Sequence, residues 1–440
     1  MASGDEWIFW CDICTASNRE GIDMHKRVLI IGGGVIGLSV AYECARRGLK
    51  VTLLERNGAD RDSCSVSNAG MVVPSHFVPL AAPGMVALGL KWMWNPESPF
   101  YIKPRLDAEL FDWAHKFWRA ANPAHVARSA PLIRDLSFAS RTLFEEFAAK
   151  TENSFSLVTK GLIMLCKTAH ALEEEARFAA QANQLGVPAQ VLDAKQLAPL
   201  DPGVTMDVAG GVYFPKDCHL NPARFLATLE AECVKLGVEF SWNSEVTGWR
   251  IAGDRIRALL TSRGEFSSDE IVLCGGSWSP VVSRGLGLNI PMQAGKGYSL
   301  TLSKPRQLPQ ICAIFTEARI ALTPIDGALR VGGTMEIAGL NEDINPVRVQ
   351  GIIKAVPKYY PEFRTEDFAG IQPWRGLRPC SPDGLPYIGR TTKFTNLTLA
   401  TGHAMMGLSL APVTGKLIGE ILSGEMPSHD LSLLSPDRYA

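Results

Sequence analysis

The 440-residue chain has almost no imbalance of charge, with 44 lysines and arginines against 45 aspartates and glutamates. Without a basic excess there is no cationic footprint for a phosphate backbone, so nucleic acid is not an expected partner. Long apolar runs are lacking too. None reaches the roughly 18 residues that a membrane-spanning helix needs, although peripheral membrane contact stays open. Residues 1–23 (MASGDEWIFWCDICTASNREGID) have neither a basic start nor a long apolar stretch, so they do not read as a secretory signal. They are expected to be a poorly ordered extension outside the working unit, which would open near Met24.

Several catalytic signatures are missing as well. No two of the eight histidines flank a glutamate at helical spacing, and no glycine-rich P-loop with its lysine occurs. Gly275-Gly276-Ser277-Trp278-Ser279 lacks the second glycine of a nucleophile elbow. The ten cysteines sit mostly in apolar or helical surroundings, where a cysteine behaves as a small hydrophobe. With no secretory signal, that usage points to a reducing cytoplasm. Cys11-x-x-Cys14 has no second pair nearby, so no metal site is expected.

What is present is the composition of a globular protein, 46% apolar and 20% charged, in a chain long enough for about two domains. Residues 26–57 read as β-α-β. RVLIIGG is a continuous apolar strand of the kind buried on both faces of a parallel sheet. A helix follows from Gly37 to Arg47, closed by Gly48, and VTLLE (51–55) is the second strand. Between first strand and helix lies Gly32-x-Gly34-x-x-Gly37. Gly32 permits the turn, Gly34 lets backbone approach a pyrophosphate, and Gly37 lets helix pack on strand. The free N–H groups of Val35 and Ile36 would meet the phosphates. Glu55 stands where an acid accepts hydrogen bonds from ribose hydroxyls and repels a 2′-phosphate.

Further along, Trp113, Phe117, Leu132, Ile133, Leu136, Leu143 and Phe147 recur at helical spacing, with Pro123 and Pro131 expected to mark breaks. KGLIMLC (160–166), GGVYFP (210–215), residues 238–253 and RIRALLTS (255–262) read as strands. IALTPIDGALRVGG (320–333) reads as a hairpin turning at Asp326-Gly327. EIVLCGG (270–276) and LTLATGH (397–403) would complete a sheet assembled from distant segments. A helix is expected to begin near Leu408, with Ser409 and Thr414 in its first turns and Gly424 closing it. Leu90, Trp92, Met93 and Trp94 offer either core packing or an apolar patch.

Five stretches carry a resemblance: CSVSNAG (64–70), KGYSLT (296–301), RVGGTME (330–336), GLRPCSPDG (376–384) and GHAMMG (402–407). Together with the glycine fingerprint they resemble the D-amino-acid oxidase-like FAD-dependent oxidoreductases, and within them the bacterial D-amino-acid dehydrogenase small subunits. The likeness covers nearly everything after Met24. It implies an α/β (α+β) two-domain fold: a Rossmann-like FAD-binding domain plus a substrate domain with a large antiparallel sheet and a helical insertion. The expected boundaries are 24–104, 205–290 and 366–430 for the discontinuous FAD-binding domain. Residues 105–204 and 291–365 would form the substrate-binding domain.

The resemblance implies FAD held without a covalent bond. No histidine stands between Arg56 and Gly70, and Cys380 reads as a small side chain rather than an attachment point. The implied reaction converts a D-amino acid to a 2-oxo acid and ammonia by hydride transfer to flavin N5. Electrons would pass to a quinone or another carrier. Related oxidations of hydroxy-D-proline, D-proline, sarcosine or glycine, and nucleotide binding without catalysis, are the alternatives. Relatives acting on glycine carry an arginine just after the late histidine, where this chain has Met405.

Arg378, in a stiff loop before Pro379, is the candidate clamp for the substrate carboxylate, since a guanidinium fork binds two oxygens at once. Tyr298 is a second contact or a core residue. His403 is a donor near the flavin C2 carbonyl, a substrate contact, or a hydrogen-bonded loop residue. Arg56, Ser67, Asn68, Ala69, Gly70, Val246, Gly275, Gly402, Met406, Gly407, Leu408 and Ser409 are expected to join the glycine turn and Glu55 around the cofactor.

Overall fold

The computed structural model describes residues 26–93 and 97–440; the expected extension with Cys11 and Cys14 lies outside them, as does Trp94. Two sheets carry the fold. The first has six strands in the order Tyr387–Arg390, Leu397–Thr401, Glu270–Leu273, Arg27–Ile31, Lys50–Leu54 and Glu239–Ser241. All neighbours run parallel except the 387–390 edge strand, which returns antiparallel. Parallel pairing needs crossovers over the faces, so the central strands are covered on both sides. In RVLII, Val28 and Ile30 pack with helices Val35–Arg46, Pro222–Lys235 and Ala411–Leu422. Leu29 and Ile31 face the other way, towards Ile256 and Leu259 of the three-stranded meander spanning 246–266.

The second sheet has nine strands. Its path is Trp374–Cys380, Gln293–Leu302, Ala328–Ile337, Ile320–Ile325, Cys312–Phe315, Leu162–Cys166, Gly210–Phe214 and Gln190–Asp193, with Phe100–Ile102 paired to 328–337 off that path. The expected antiparallel sheet is mixed at two joints. Cys312–Phe315 runs parallel to Leu162–Cys166, and Phe100–Ile102 runs parallel to 328–337. Both joints bring distant segments together, so no hairpin sets their direction. Where a hairpin was expected it is found: Asp326 and Gly327 turn with φ of 48° and 85°, the left-handed pair of a type I′ turn.

Three elements cross the expected boundaries. Those boundaries put 100–102, 210–214 and 374–380 on the FAD side, yet all three strands pair in the nine-stranded sheet. A short apolar run shows that a strand exists, not which sheet it joins. The helical insertion also divides. Helix Ala108–Ala120 sends Leu110 and Trp113 against Met335, Ile337 and Cys380 of the second sheet. Helix Pro123–Lys150 instead packs Ile133, Leu136, Phe144 and Phe147 against the helices of the first sheet.

Pro123 starts that helix behind the Asn122 cap, but Pro131 does not break it. An interior proline costs roughly 3 kcal/mol, and each large apolar side chain buried beyond it returns about 1.5–3 kcal/mol. Among the described residues no helix is long and apolar enough to cross a membrane.

Candidate active site

A cavity of about 870 Å³ is lined from both sheets, a volume at the upper end of those that hold organic cofactors and ligands. At one end it begins on the glycine turn. Gly32 has φ 110°, and a Cβ there would press on the Cys274 carbonyl; one at Gly37 would be driven into the Gly32 carbonyl. Both glycines therefore hold helix 35–46 hard against the strands. Gly34 is different, because a Cβ there would meet only Ser65 Oγ at 3.5 Å. It caps the helix without a side chain, leaving an open concavity at the positive helix end.

Glu55 is buried, and its carboxylate accepts from the N–H of Gly33 at 2.7 Å and of Asn57 at 3.0 Å. Arg61 buttresses the turn from behind, donating from Nε to the Gly33 carbonyl at 2.7 Å while its guanidinium lies 4.6 Å from the Trp242 ring centre. Further out, Val246 and Trp249 of the meander join Val281, Val282 and Trp278, over which Arg56 stacks at 3.8 Å. A cleft with an uncapped helix end, a buried acid and a wall of tryptophans fits a dinucleotide.

The loop 67–70 is tied to the second sheet. Arg330 donates to the Asn68 carbonyl at 2.8 Å, Ser299 to the Ser67 carbonyl at 3.4 Å, and Asn68 Oδ1 accepts from Gly70 N–H. Ser67, Asn68 and Ala69 line the cavity with Gly275, Met406, Gly407, Leu408 and Ser409. Gly37, Gly70 and Gly402 do not line it. A Cβ at Gly70 would strike the Leu220 carbonyl, and one at Gly402 the Tyr387 ring, so these glycines shape the backbone behind the wall. Ser409 does not cap its helix, which spans Ala411–Leu422. Its hydroxyl donates to the Met71 carbonyl, accepts from Val73 N–H, and so pins the 71–73 wall. Gly424 does close the helix region, with φ 75°.

Arg378 sits on the strand 374–380 rather than in a loop, opposite Gly295. Its guanidinium folds across Gly297, where any Cβ would collide with it. Nη1 donates to the Thr334 carbonyl at 2.8 Å and, at 3.5 Å, to that of Gly295. Among the described residues no carboxylate pairs with it, and Nε and Nη2 have no hydrogen-bond partner. Thr334 has φ 71°, costly for a β-branched residue, in the irregular register between 293–302 and 328–337. The strand is bent there so that its carbonyl meets the arginine.

Tyr298 lines the cavity beside Gly297, but its side chain is turned into the second sheet's core. Its ring is buried among Leu300, Ile352 and Val356, and its hydroxyl donates to Glu336 Oε2 at 2.8 Å. Glu336, with Lys296 and Arg348, forms a buried ionic cluster. His403 lines the cavity but is buried, and burial pulls its pKa down to about 3, so it is neutral. Nε2 shares a 3.0 Å hydrogen bond with Thr414 Oγ1. Thr414 thereby ties the 404–406 turn to helix 411–422 instead of serving that helix's own end. Cys380 is fully buried beside Met335 Sδ and does not line the cavity.

Other lining residues are not singled out as site residues in the sequence. The apolar wall is built from Met164, Ile314, Ala321 and Met335, and at its edge stand His76 and Arg319. Asp62 accepts from Trp374 Nε1 at 2.5 Å and from Arg375, which also pairs with Glu342 at 3.5 Å. Pattern reading does not bring these to the cavity, because each gains its place from a partner far along the chain. Among the described residues no group of acids, cysteines or histidines could hold a metal ion.

The sequence profile of the FAD dependent oxidoreductase (DAO) family matches residues 27–421. A D-amino acid dehydrogenase of Granulibacter bethesdensis is 31% identical over 419 residues, covering 94% of this chain and all of that protein. One of Rhizobium rhizogenes is 30% identical over 418 residues, with the same coverage. Among solved structures, glycine oxidase from Geobacillus kaustophilus superposes with a TM-score of 0.75 at 23% identity, over 94% of this chain and all of that one. L-proline dehydrogenase from P. horikoshii gives 0.70 at 17% identity, over 94% and 98%.

Proposed function

This chain belongs to the FAD dependent oxidoreductase family, and from that premise we propose that its substrate is a D-amino acid. The product would be the imino acid, which water converts to a 2-oxo acid and ammonia. Electrons would pass to a quinone or another carrier. The observation that carries this reading is Arg378: a half-buried guanidinium at the cavity, held by backbone carbonyls and, among the described residues, paired with no carboxylate. A charge kept free of internal partners is positioned for an external anion.

Bound FAD supplies the hydride acceptor. The chain's own residues supply placement. Arg378 takes the substrate carboxylate on Nε and Nη2, while Thr334 holds the other edge of the fork. Orientation of this kind brings several kcal/mol of the barrier reduction in oxidations at a fixed carbon. Met164, Ile314, Ala321 and Met335 keep water from the reacting bond. His403, neutral and tied to Thr414, fixes the 404–407 turn beside the cofactor cleft. Met405 at the cavity, where an arginine would suit glycine, favours larger amino acids.

The test is anaerobic mixing of the yellow holoprotein with a panel of D-amino acids, glycine, sarcosine and proline. Bleaching of the visible flavin band by D-amino acids is expected. Bleaching by glycine or sarcosine alone would replace the substrate. Re-oxidation by a ubiquinone analogue rather than air would identify the carrier class; rapid re-oxidation by air would make the protein an oxidase.

A further inference from the structure

Pairing of Val72 with Cys218 brings two unrelated segments side by side, so that Asp217 meets Ser75. Asp217 is fully buried. Its Oδ1 accepts from the Ser75 N–H at 3.0 Å, and its Oδ2 lies 2.5 Å from Ser75 Oγ. The same hydroxyl is 3.0 Å from His76 Nδ1. His76 lines the cavity, and among the described residues its Nε2 has no hydrogen-bond partner. A buried acid is thus wired through one hydroxyl to an imidazole whose other nitrogen is open to the cavity.

We propose that Asp217, Ser75 and His76 form a proton relay in which His76 Nε2 takes the proton of the substrate's ammonium group. The proposal rests on the amine-oxidation reading above. An amino acid enters mostly as the ammonium form, and only the free amine lone pair assists departure of the α-hydrogen as hydride. The step balances without any redox change. Nε2 gains the ammonium proton, Nδ1 gives its proton to Ser75 Oγ, and Ser75 gives its own to Asp217 Oδ2. His76 ends neutral and Asp217 ends as the acid. Asp217 and Ser75 are positioning residues; His76 is the group that touches substrate.

The surroundings favour that direction. Burial raises the Asp217 pKa to about 7, while burial and then the Arg319 charge lower that of His76 to about 4. A proton entering at the imidazole therefore comes to rest on the carboxylate. Arg141 also acts on Asp217 from helix 123–150, in the opposite sense to burial. The neighbouring Cys218 and Cys312 thiols are raised by burial, and His219 is lowered by it, so all three stay neutral.

The experiment is stopped-flow bleaching of the FAD-loaded protein by D-alanine as a function of pH, for the native chain, H76N, S75A, S75T and D217N. At pH 7, H76N should bleach about 100-fold more slowly, the scale of general base catalysis. The deficit should shrink as pH rises towards the amine's own pKa and vanish above it, where the amine is already free. S75A and D217N should shift the profile upward in the same sense, and S75T, which keeps the hydroxyl, should restore it. Parallel profiles for the native chain and H76N overturn the relay while leaving the oxidation standing. If no amine bleaches the native protein at any pH, the oxidation reading fails and the relay with it. Because His76 is only half-buried, H76N decides the matter even where D217N does not fold.

Discussion

Arg378 can serve as a clamp only because Gly297 has no side chain. The guanidinium lies where a Cβ on residue 297 would be, and its aim is set by the Thr334 carbonyl at 2.8 Å. Two substitutions separate charge from placement. Arg378→Ala removes the charge-assisted fork; at about 3 kcal/mol this is a rise in KM for D-amino acids of 100-fold or more, with FAD still bound. Gly297→Ala keeps the charge but displaces it, so KM should rise by about tenfold while the visible flavin spectrum stays intact. Steady-state kinetics on FAD-saturated protein would check both, and near-native KM in Arg378→Ala would end the assignment. That Arg378 stands at the cavity was legible in the sequence because its motif is contiguous. What Tyr298 does there was not legible, since its hydroxyl is engaged by Glu336, a partner 38 positions away. His76 was invisible for a further reason: its relay partner lies 142 positions from Ser75.

At the scale of elements, the local units were legible and the long-range joints were not. The β-α-β unit and the 326–327 hairpin are encoded within a few dozen residues, by apolar runs and by turn residues. The parallel joint between 162–166 and 312–315 depends on segments that share no turn. One such joint carries a prediction. Asp62, in the loop after Glu55 and Arg56, is held by Trp374 and Arg375 of the second sheet, and Arg375 reaches on to Glu342. This bridge closes the cofactor loop against the other sheet. Asp62→Ala should weaken FAD retention by about tenfold, the effect of one partly exposed, hydrogen-bonded charge pair. High salt should narrow the gap between native and variant protein. Fluorescence titration of the apoprotein with FAD at two salt concentrations would measure this; equal affinities would remove the bridge from the cofactor's account.

At the scale of the whole molecule, the buried titratable groups set a pH dependence that the balanced net charge conceals. His403 and His219 are each 2% exposed, and burial lowers them to about 3 and about 4, below the ordinary value of 6.5. Below pH 6.5 the unfolded chain therefore binds two protons that the native chain refuses, and stability falls with pH. Asp217 acts in the opposite sense. Raised to about 7, it holds a proton in the native state that the unfolded chain releases above its ordinary value of 3.8. Between about pH 6.5 and 4 the unfolded state thus keeps a net excess of one proton from these three groups, or about 1.4 kcal/mol lost per pH unit on acidification. Asp217→Asn removes the opposing term. It should stabilise the protein near pH 8, by up to about 4 kcal/mol as the charge burial disappears, and should steepen the slope of acid loss. His219→Asn should flatten that slope. Urea midpoints of FAD-saturated protein at pH 8 and pH 5 would test the set, and a loss of stability in Asp217→Asn at pH 8 would contradict it. A carboxylate that is costly to keep ionised is a strange choice for a structural position, and an apt one for the inner end of a proton path.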